Sequence, residues 1–258
     1  MGATITLLTD YGLDDEFAGV CHGVIARIAP EARVIDLTHG IPRHDVAAGA
    51  LALRRALPYT PPGVHVAVVD PGVGGPRRGV ALRCGDRLLV GPDNGLLMPA
   101  ADLLGGVAEA VDLARSPWRL QPVSATFHGR DVFAPVAARL AAGAPLREAG
   151  EPIDPATLAA LELPVPRADG DTLVAHAVAF DAFGNVLLDA TGADLPAGDA
   201  LDVCGRPARR ARTFADVPAG ALLVYEDSSG ALALAVNKGS AREALGLAAG
   251  DEVRLRPA

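Results

Sequence analysis

ATITLLTDYGLDDEFAGVCHGVIARIAPEARVIDLTHG, residues 3–40, decides how the first half of the chain is built. Its opening apolar run, Ala3–Thr9, has the length and β-branched content of a buried strand. Glu16–Ala29 then repeats its apolar residues at helical spacing, and Ala32–Leu37 reads as a second strand. The alternation continues with a helix over Asp45–Ala56 and a third strand over Val64–Val69. Strands separated by helices of this length predict right-handed βαβ crossovers and a mostly parallel sheet. Val80–Cys84 and Arg87–Val90, joined by Gly85 and Asp86, predict a hairpin, and Asp131–Ala142 a further helix.

The pattern weakens between Gly143 and Gly170, where Pro145, Pro152, Pro155, Pro164 and Pro166 interrupt it. Beyond it, Asp171–Phe180, Val186–Asp189, Ala221–Glu226 and Ala231–Val236 are short strands separated by turns, with little helix. The expected fold is therefore α/β in class: an N-terminal α/β domain over 1–150, a Pro-rich linker over 151–170, and a smaller C-terminal antiparallel β-barrel domain over 171–258.

Composition excludes several functions. The chain has 258 residues, 50% of them hydrophobic and 21% charged, which rules out global disorder. Its 31 acidic against 23 basic side chains give a net charge of −8, with no basic run to hold nucleic-acid phosphates. Cys21, Cys84 and Cys204 are scattered and odd in number, so neither a disulfide framework nor a structural zinc is expected. The start, MGATITLLTDYG, lacks the basic n-region of a signal peptide, and no apolar run reaches the roughly 18 residues of a membrane span. A soluble, cytoplasmic protein is the expectation.

In a parallel α/β sheet, ligands bind just beyond the carboxyl ends of the strands. Unusual polar groups fall there: Thr9-Asp10-Tyr11-Gly12, Asp36-Leu37-Thr38-His39-Gly40 and Asp70-Pro71-Gly72-Val73-Gly74-Gly75. Gly91-Pro92-Asp93-Asn94-Gly95 and Thr126-Phe127-His128-Gly129-Arg130-Asp131 follow. Singly, each Asp reads as a helix N-cap or turn residue. The glycine loop lacks the GK[ST] ending of a P-loop and is not the GxGxxG dinucleotide fingerprint. Asp10, His39, Asp70, Asp93 and His128 could ligate a metal as in a phosphoesterase. The same carboxylates could instead grip ribose hydroxyls and polarise a nucleophile without metal. No HxH, DxD or HExxH spacing supports the metal alternative.

Asp70-Pro-Gly-Val-Gly-Gly-Pro-Arg77-Arg78 and Thr126-Phe-His128-Gly-Arg-Asp131 resemble motifs of the S-adenosyl-L-methionine hydroxide adenosyltransferases, hydrolase relatives of the fluorinase and chlorinase enzymes. TDYG with Asp15 behind it, DLTHGI, GPDNGLL, Asp181-Ala-Phe183-Gly-Asn185 and Ser228-Ser-Gly…Ala-Val236-Asn237 match in the same order. The likeness runs from residue 4 to about residue 255.

The resemblance implies a homotrimer whose substrate lies between the N-terminal domain of one subunit and the C-terminal domain of the next. It implies hydrolysis of S-adenosyl-L-methionine to adenosine and L-methionine, with no metal or other cofactor. The catalytic set it implies is Asp70, Arg77 and His128, with Arg78 an alternative to Arg77. Asp10 corresponds to the carboxylate on the ribose hydroxyls, and Phe127 and Phe183 to aromatic walls of the nucleoside pocket. Asp181 and Ser228 correspond to groups on the methionine end, and Asn185 with the Val236-Asn237 backbone to adenine contacts. Ala233 departs from the pattern, standing where an acidic residue is expected. A halogenase is the nearest alternative, but a carboxylate at position 70 would repel a halide. A non-catalytic module binding adenosine or S-adenosyl-L-methionine is an alternative of another class.

Overall fold

Consecutively buried residues, over 4–9 and 64–68, build the centre of the first sheet, and the helices between its strands cover both faces. The computed structural model describes residues 3–258; Met1 and Gly2, the first residues of the stretch read as lacking a signal peptide, lie outside them. Two compact units result, divided between Leu161 and Glu162.

In the first unit β1 (Thr4–Thr9), α1 (Phe17–Ile28), β2 (Arg33–Thr38), α2 (Val46–Ala56) and β3 (Gly63–Val68) follow the predicted alternation. The Asp45 side chain caps α2 by accepting the Ala48 N–H at 2.9 Å. Then come β4 (Gly79–Cys84), β5 (Arg87–Pro92), α3 (Met98–Leu103), β6 (Glu109–Asp112), α4 (Ala134–Ala141) and β7 (Glu151–Ile153). The sheet order is β2-β1-β3-β5-β4-β6-β7. Ile5 and Leu7 of β1 join Val64, Val66 and Val68 of β3 under α1 and α4, while Leu8 and Ala67 point to the opposite face, under α2 and α3.

The sheet is mixed, and this corrects the expectation of a mostly parallel one. β2, β1, β3 and β5 pair in parallel, but β5–β4, β4–β6 and β6–β7 are antiparallel. The cause is the β4–β5 hairpin. With Cys84 opposite Arg87, only Gly85 and Asp86 connect the strands, so β5 returns beside β3 and leaves β4 on its outer side. β6 then adds antiparallel to β4 and β7 antiparallel to β6, with α3 and α4 in the connecting segments.

The second unit contains β8 (Arg167–Asp169), β9 (Thr172–Phe180), β10 (Val186–Thr191), β11 (Ala200–Val203), β12 (Arg206–Arg210), β13 (Leu222–Glu226), β14 (Ala231–Val236), the short α5 (Ala241–Leu245) and β15 (Glu252–Pro257). The order β10-β14-β13-β12-β11-β15-β9 closes through a β9–β10 pairing into a seven-stranded barrel, with β8 flanking β9. A second correction applies here: β12 and β13 pair in parallel, so the barrel is not wholly antiparallel. Residues 151–170, read as a linker, include β7 in the first sheet and β8 in the second. Among the described residues, no helix is long and apolar enough to cross a membrane.

One buried polar group inside the first unit has a measurable consequence. His65 is fully buried; its Nδ1 lies 2.9 Å from Thr6 Oγ1 and its Nε2 3.3 Å from an Arg87 guanidinium nitrogen. Burial first, and then the Arg87 cation, lower its pKa to about 4. An unfolded chain takes up this proton near pH 6.5, whereas the folded one waits until about pH 4. Stability therefore falls as pH drops through that window, by at most about 1.4 kcal/mol per pH unit from this residue. Urea unfolding at pH 7, 6 and 5 should show the loss, and His65→Gln should flatten it; an unchanged slope in the variant would refute the assignment.

Candidate active site

Four parallel strands end at one edge of the first sheet. Thr9 registers with Val68 and Leu8 with Thr38, so Asp10, His39 and Asp70 follow the carboxyl ends of β1, β2 and β3. Asp93 follows β5.

The loop after β3 bends back on itself. The Val73 N–H donates to the Asp70 carbonyl and the Gly75 N–H to that of Gly72, which returns Arg77 to its own loop's origin. Gly74, at φ +76°, makes this possible: a Cβ there would lie 2.3 Å from the Ala125 carbonyl oxygen. That contact also seats the loop against residues 123–128.

Arg77 reaches both carboxylate oxygens of Asp70. Its Nε donates to Oδ1 at 2.9 Å, and a terminal nitrogen makes a very short contact to Oδ2. The same terminal nitrogen lies 2.7 Å from His128 Nδ1. Asp70 and Arg77 side chains are only 6% and 12% exposed, so this is a largely desolvated pair. Guanidinium has no acceptor, so His128 Nδ1 must accept, and a neutral ring then carries its proton on Nε2. Burial and the Arg77 cation both lower the His128 pKa, which keeps the ring neutral.

His128 is held by the segment that follows. A π-helical turn over Gly129–Phe133 precedes α4. Within it, Asp131 is buried, accepts the Ser124 N–H at 2.8 Å and binds Arg130 through both oxygens. The Arg130 guanidinium carbon in turn sits 5.0 Å from the centre of the Phe127 ring. Phe127 stacks edge-on against Phe17 and Tyr11, with centroids 5.0 and 5.9 Å away.

Arg78, the alternative to Arg77, goes elsewhere. It donates to Asp93 at 2.8 Å and to Thr157, while the other Asp93 oxygen accepts the Ala159 N–H. Asp93 thus anchors residues 157–159. Asp10 accepts the His44 N–H at 2.9 Å, and His39 is buried against Thr9. The first unit therefore brings Asp70, Arg77 and His128 into direct contact, with Phe127 adjacent to His128 in the chain and Asp10 beyond the neighbouring strand.

The remaining predicted residues lie in the barrel unit. Asp181, Phe183 and Asn185 form the β9–β10 turn, where Asp181 accepts the N–H groups of Phe183 and Asn185 and the Asn185 side-chain amide, at 2.9, 2.9 and 2.7 Å. Both carboxylate oxygens therefore organise the turn, and Phe183 is left 80% exposed. Val186 pairs with Leu234, which puts Val236 and Asn237 at the same barrel end as that turn. The Asn237 amide donates to the Val217 carbonyl at 2.7 Å. Ser228 lies in the turn at the other end of β14. Tyr225, on the neighbouring strand, senses both regions: burial, then the Asp181 and Asp227 carboxylates, raise its pKa.

The sequence gives no separate role to Tyr11, Phe17 or Asp131, and reads Gly74 only as a residue that lets a tight loop turn. Aromatics make up only 4% of the chain, and the closeness of two of them to the TDYG motif was the available signal for the cluster. A Cβ on Gly129 would lie 2.1 Å from the Tyr11 hydroxyl oxygen, so Tyr11 rests directly on the residue after His128.

Polar groups converging beyond the carboxyl ends of parallel strands define an enzyme of the α/β class acting on a small molecule. Residues 5–150 match the SAM hydroxide adenosyltransferase N-terminal domain and residues 175–254 the corresponding C-terminal domain. The chain belongs to the SAM hydroxide adenosyltransferase family. It is 54% identical over 252 residues to a Salinispora tropica protein named (R)-S-adenosyl-L-methionine hydrolase, covering 97% of each chain. A protein of the same name from Thermus thermophilus is 44% identical, with 97% and 98% covered. A crystal structure of a conserved Thermotoga maritima protein superposes with a TM-score of 0.90 at 35% identity, covering 98% of this chain and 99% of that one.

The histidine tautomer is directly testable. At pH 7, nitrogen-15 NMR of the imidazoles should show His128 neutral with its proton on Nε2. A signal from a protonated Nδ1 would break the Arg77–His128 hydrogen bond as described.

Proposed function

We propose that this protein hydrolyses S-adenosyl-L-methionine to adenosine and L-methionine through attack of water on ribose C5′. The observation that carries this reading is the Asp70–Arg77–His128 contact in a chain of this family. The relatives' names specify the (R) sulfonium epimer, and we take the same epimer as the substrate here.

Sulfonium is already a good leaving group, so no metal is needed at the reacting carbon. The task is to aim one water in line with the departing sulfur, and positioning of this kind is worth roughly 7–11 kcal/mol of barrier. Water oxygen bonds to C5′ while the C5′–S pair leaves with sulfur, giving a neutral thioether. The water proton passes to Asp70 and then to solvent. Arg77 occupies both Asp70 oxygens, so Asp70 chiefly orients the water and accepts its proton late. His128, with Nδ1 committed to Arg77, offers an Nε2–H donor to an oxygen in the site.

In the same proposal Asp10 holds the ribose hydroxyls and Phe127 and Phe183 flank the nucleoside. Asp181 and Ser228 meet the methionine end, and Asn185, Val236 and Asn237 meet the adenine. We place the enzyme in the cytoplasm as a homotrimer that shares each site between adjacent subunits, and light scattering giving a stable monomer would remove the shared-site arrangement.

Purified protein incubated with a mixture of sulfonium epimers should release adenosine and methionine, consuming the (R) form first. Asp70→Asn should lower kcat by about 10²–10⁴-fold, the usual range for a positioned proton acceptor. Turnover matching wild type would end the mechanism, and 5′-halo-5′-deoxyadenosine formed in chloride or fluoride buffer would favour the halogenase. Protonating His128 puts a second N–H against Arg77, so kcat/KM should be flat through neutrality and fall with acid below the ordinary histidine range of about 6.5. A decline beginning above pH 7 would contradict the neutral histidine.

A further inference from the structure

We infer that His22, Asp36 and His39 form a binding site for one first-row divalent transition-metal ion at the edge of the first sheet. None of the three belongs to the Asp70–Arg77–His128 set, and the reaction proposed above does not use them.

Three segments deliver the ligands. His22 comes from α1, Asp36 from the edge strand β2, and His39 from the turn that follows it. His22 Nε2 and His39 Nε2 lie 2.8 and 3.1 Å from the same oxygen, Asp36 Oδ1. All three ligand atoms fall within 4.8 Å of one another. Tetrahedral bonds of about 2.0–2.1 Å place neighbouring ligand atoms roughly 3.4 Å apart. Each imidazole nitrogen therefore needs to draw back from Asp36 Oδ1 by only about 0.3–0.6 Å to admit an ion.

His39 points to a ligand independently of that spacing. Its side chain is 3% exposed, yet its Nε2 has no hydrogen-bond partner. The nearby Asp36 oxygen lies off the direction in which that ring nitrogen could donate. Its Nδ1 is 2.8 Å from Thr9 Oγ1. When Nδ1–H donates to Thr9, Nε2 holds a buried lone pair with no hydrogen-bond partner. A hydrogen bond of this type to the far ring nitrogen is what fixes a metal-ligating histidine.

The donor set selects the class of ion. Two imidazoles and one carboxylate suit zinc, cobalt, nickel or copper, whereas magnesium and calcium require oxygen-rich cages. His22 and Asp36 are 36% and 44% exposed, which leaves room for water to complete the shell. Binding there would also brace the loop carrying Asp10 and Tyr11. The Gly12 N–H donates to the His39 carbonyl at 2.7 Å, and the Tyr11 N–H donates to Thr9 Oγ1.

The test uses full-length protein stripped with chelator. Calorimetric titration with zinc should give one site per chain, and cobalt(II) should develop the visible bands of a low-symmetry, histidine-bound ion. His22→Ala, on the exposed face of α1, should lose both signals. Thr9→Val should weaken zinc affinity about 10–100-fold while the protein stays folded. Wild type that binds no zinc, or zinc binding unchanged in both His22→Ala and Asp36→Asn, would overturn the inference and leave an ordinary His22–Asp36 ion pair. Neither readout involves substrate, so its outcome is separate from that of the hydrolysis assay.

Discussion

One guanidinium shared between a carboxylate and an imidazole organises the polar cluster of the first unit. Arg77 can only donate, so each neighbour must accept from it. That single fact settles the tautomer of His128. It also explains the amount of surrounding structure devoted to holding Arg77 still. Gly74 lets the loop press on Ala125, Asp131 ties down the segment before His128, and the Tyr11–Phe17–Phe127 cluster fills the adjoining space. A pair so poorly exposed is costly to leave half-made, since removing one partner strands the other charge in a dry site.

Much of this was legible in the sequence because period and punctuation are local properties. The β1–α1–β2–α2–β3 succession follows from residues 3–69, and the Gly85-Asp86 hairpin from its two-residue link. The overall sheet direction was not legible, because β6 and β7 are only four and three residues long, too short to show from sequence that β6 joins β4, and β7 joins β6, antiparallel. The parallel β12–β13 contact has the same origin: it depends on how a barrel closes, which no window of a few residues records. At the candidate site, motif order points to Asp70, Arg77 and His128, and the structure sets Arg77 against Asp70 while Arg78 pairs with Asp93.

The barrel illustrates why roles are harder to read than positions. The family motif marks Asp181 as a contact to the methionine end, and the residue stands in the β9–β10 turn. There it accepts hydrogen bonds from two backbone amides and one side-chain amide. Asp227 does the same work in the β13–β14 turn, receiving the Ser229 hydroxyl and two backbone N–H groups. A carboxylate beside glycine, serine or asparagine serves turn formation well, and that local demand gives the same sequence signature as a binding group.

The π-helical turn after His128 has an evolutionary corollary. Such a turn is one residue too wide for a regular helix. Losing one residue between Gly129 and Phe133 would restore ordinary winding and rotate everything upstream by about 100° relative to α4. The imidazole would swing off the arginine while the hydrophobic face of the helix stayed packed. A lineage could thus silence or repurpose this centre through one codon deletion, with little disturbance to the scaffold.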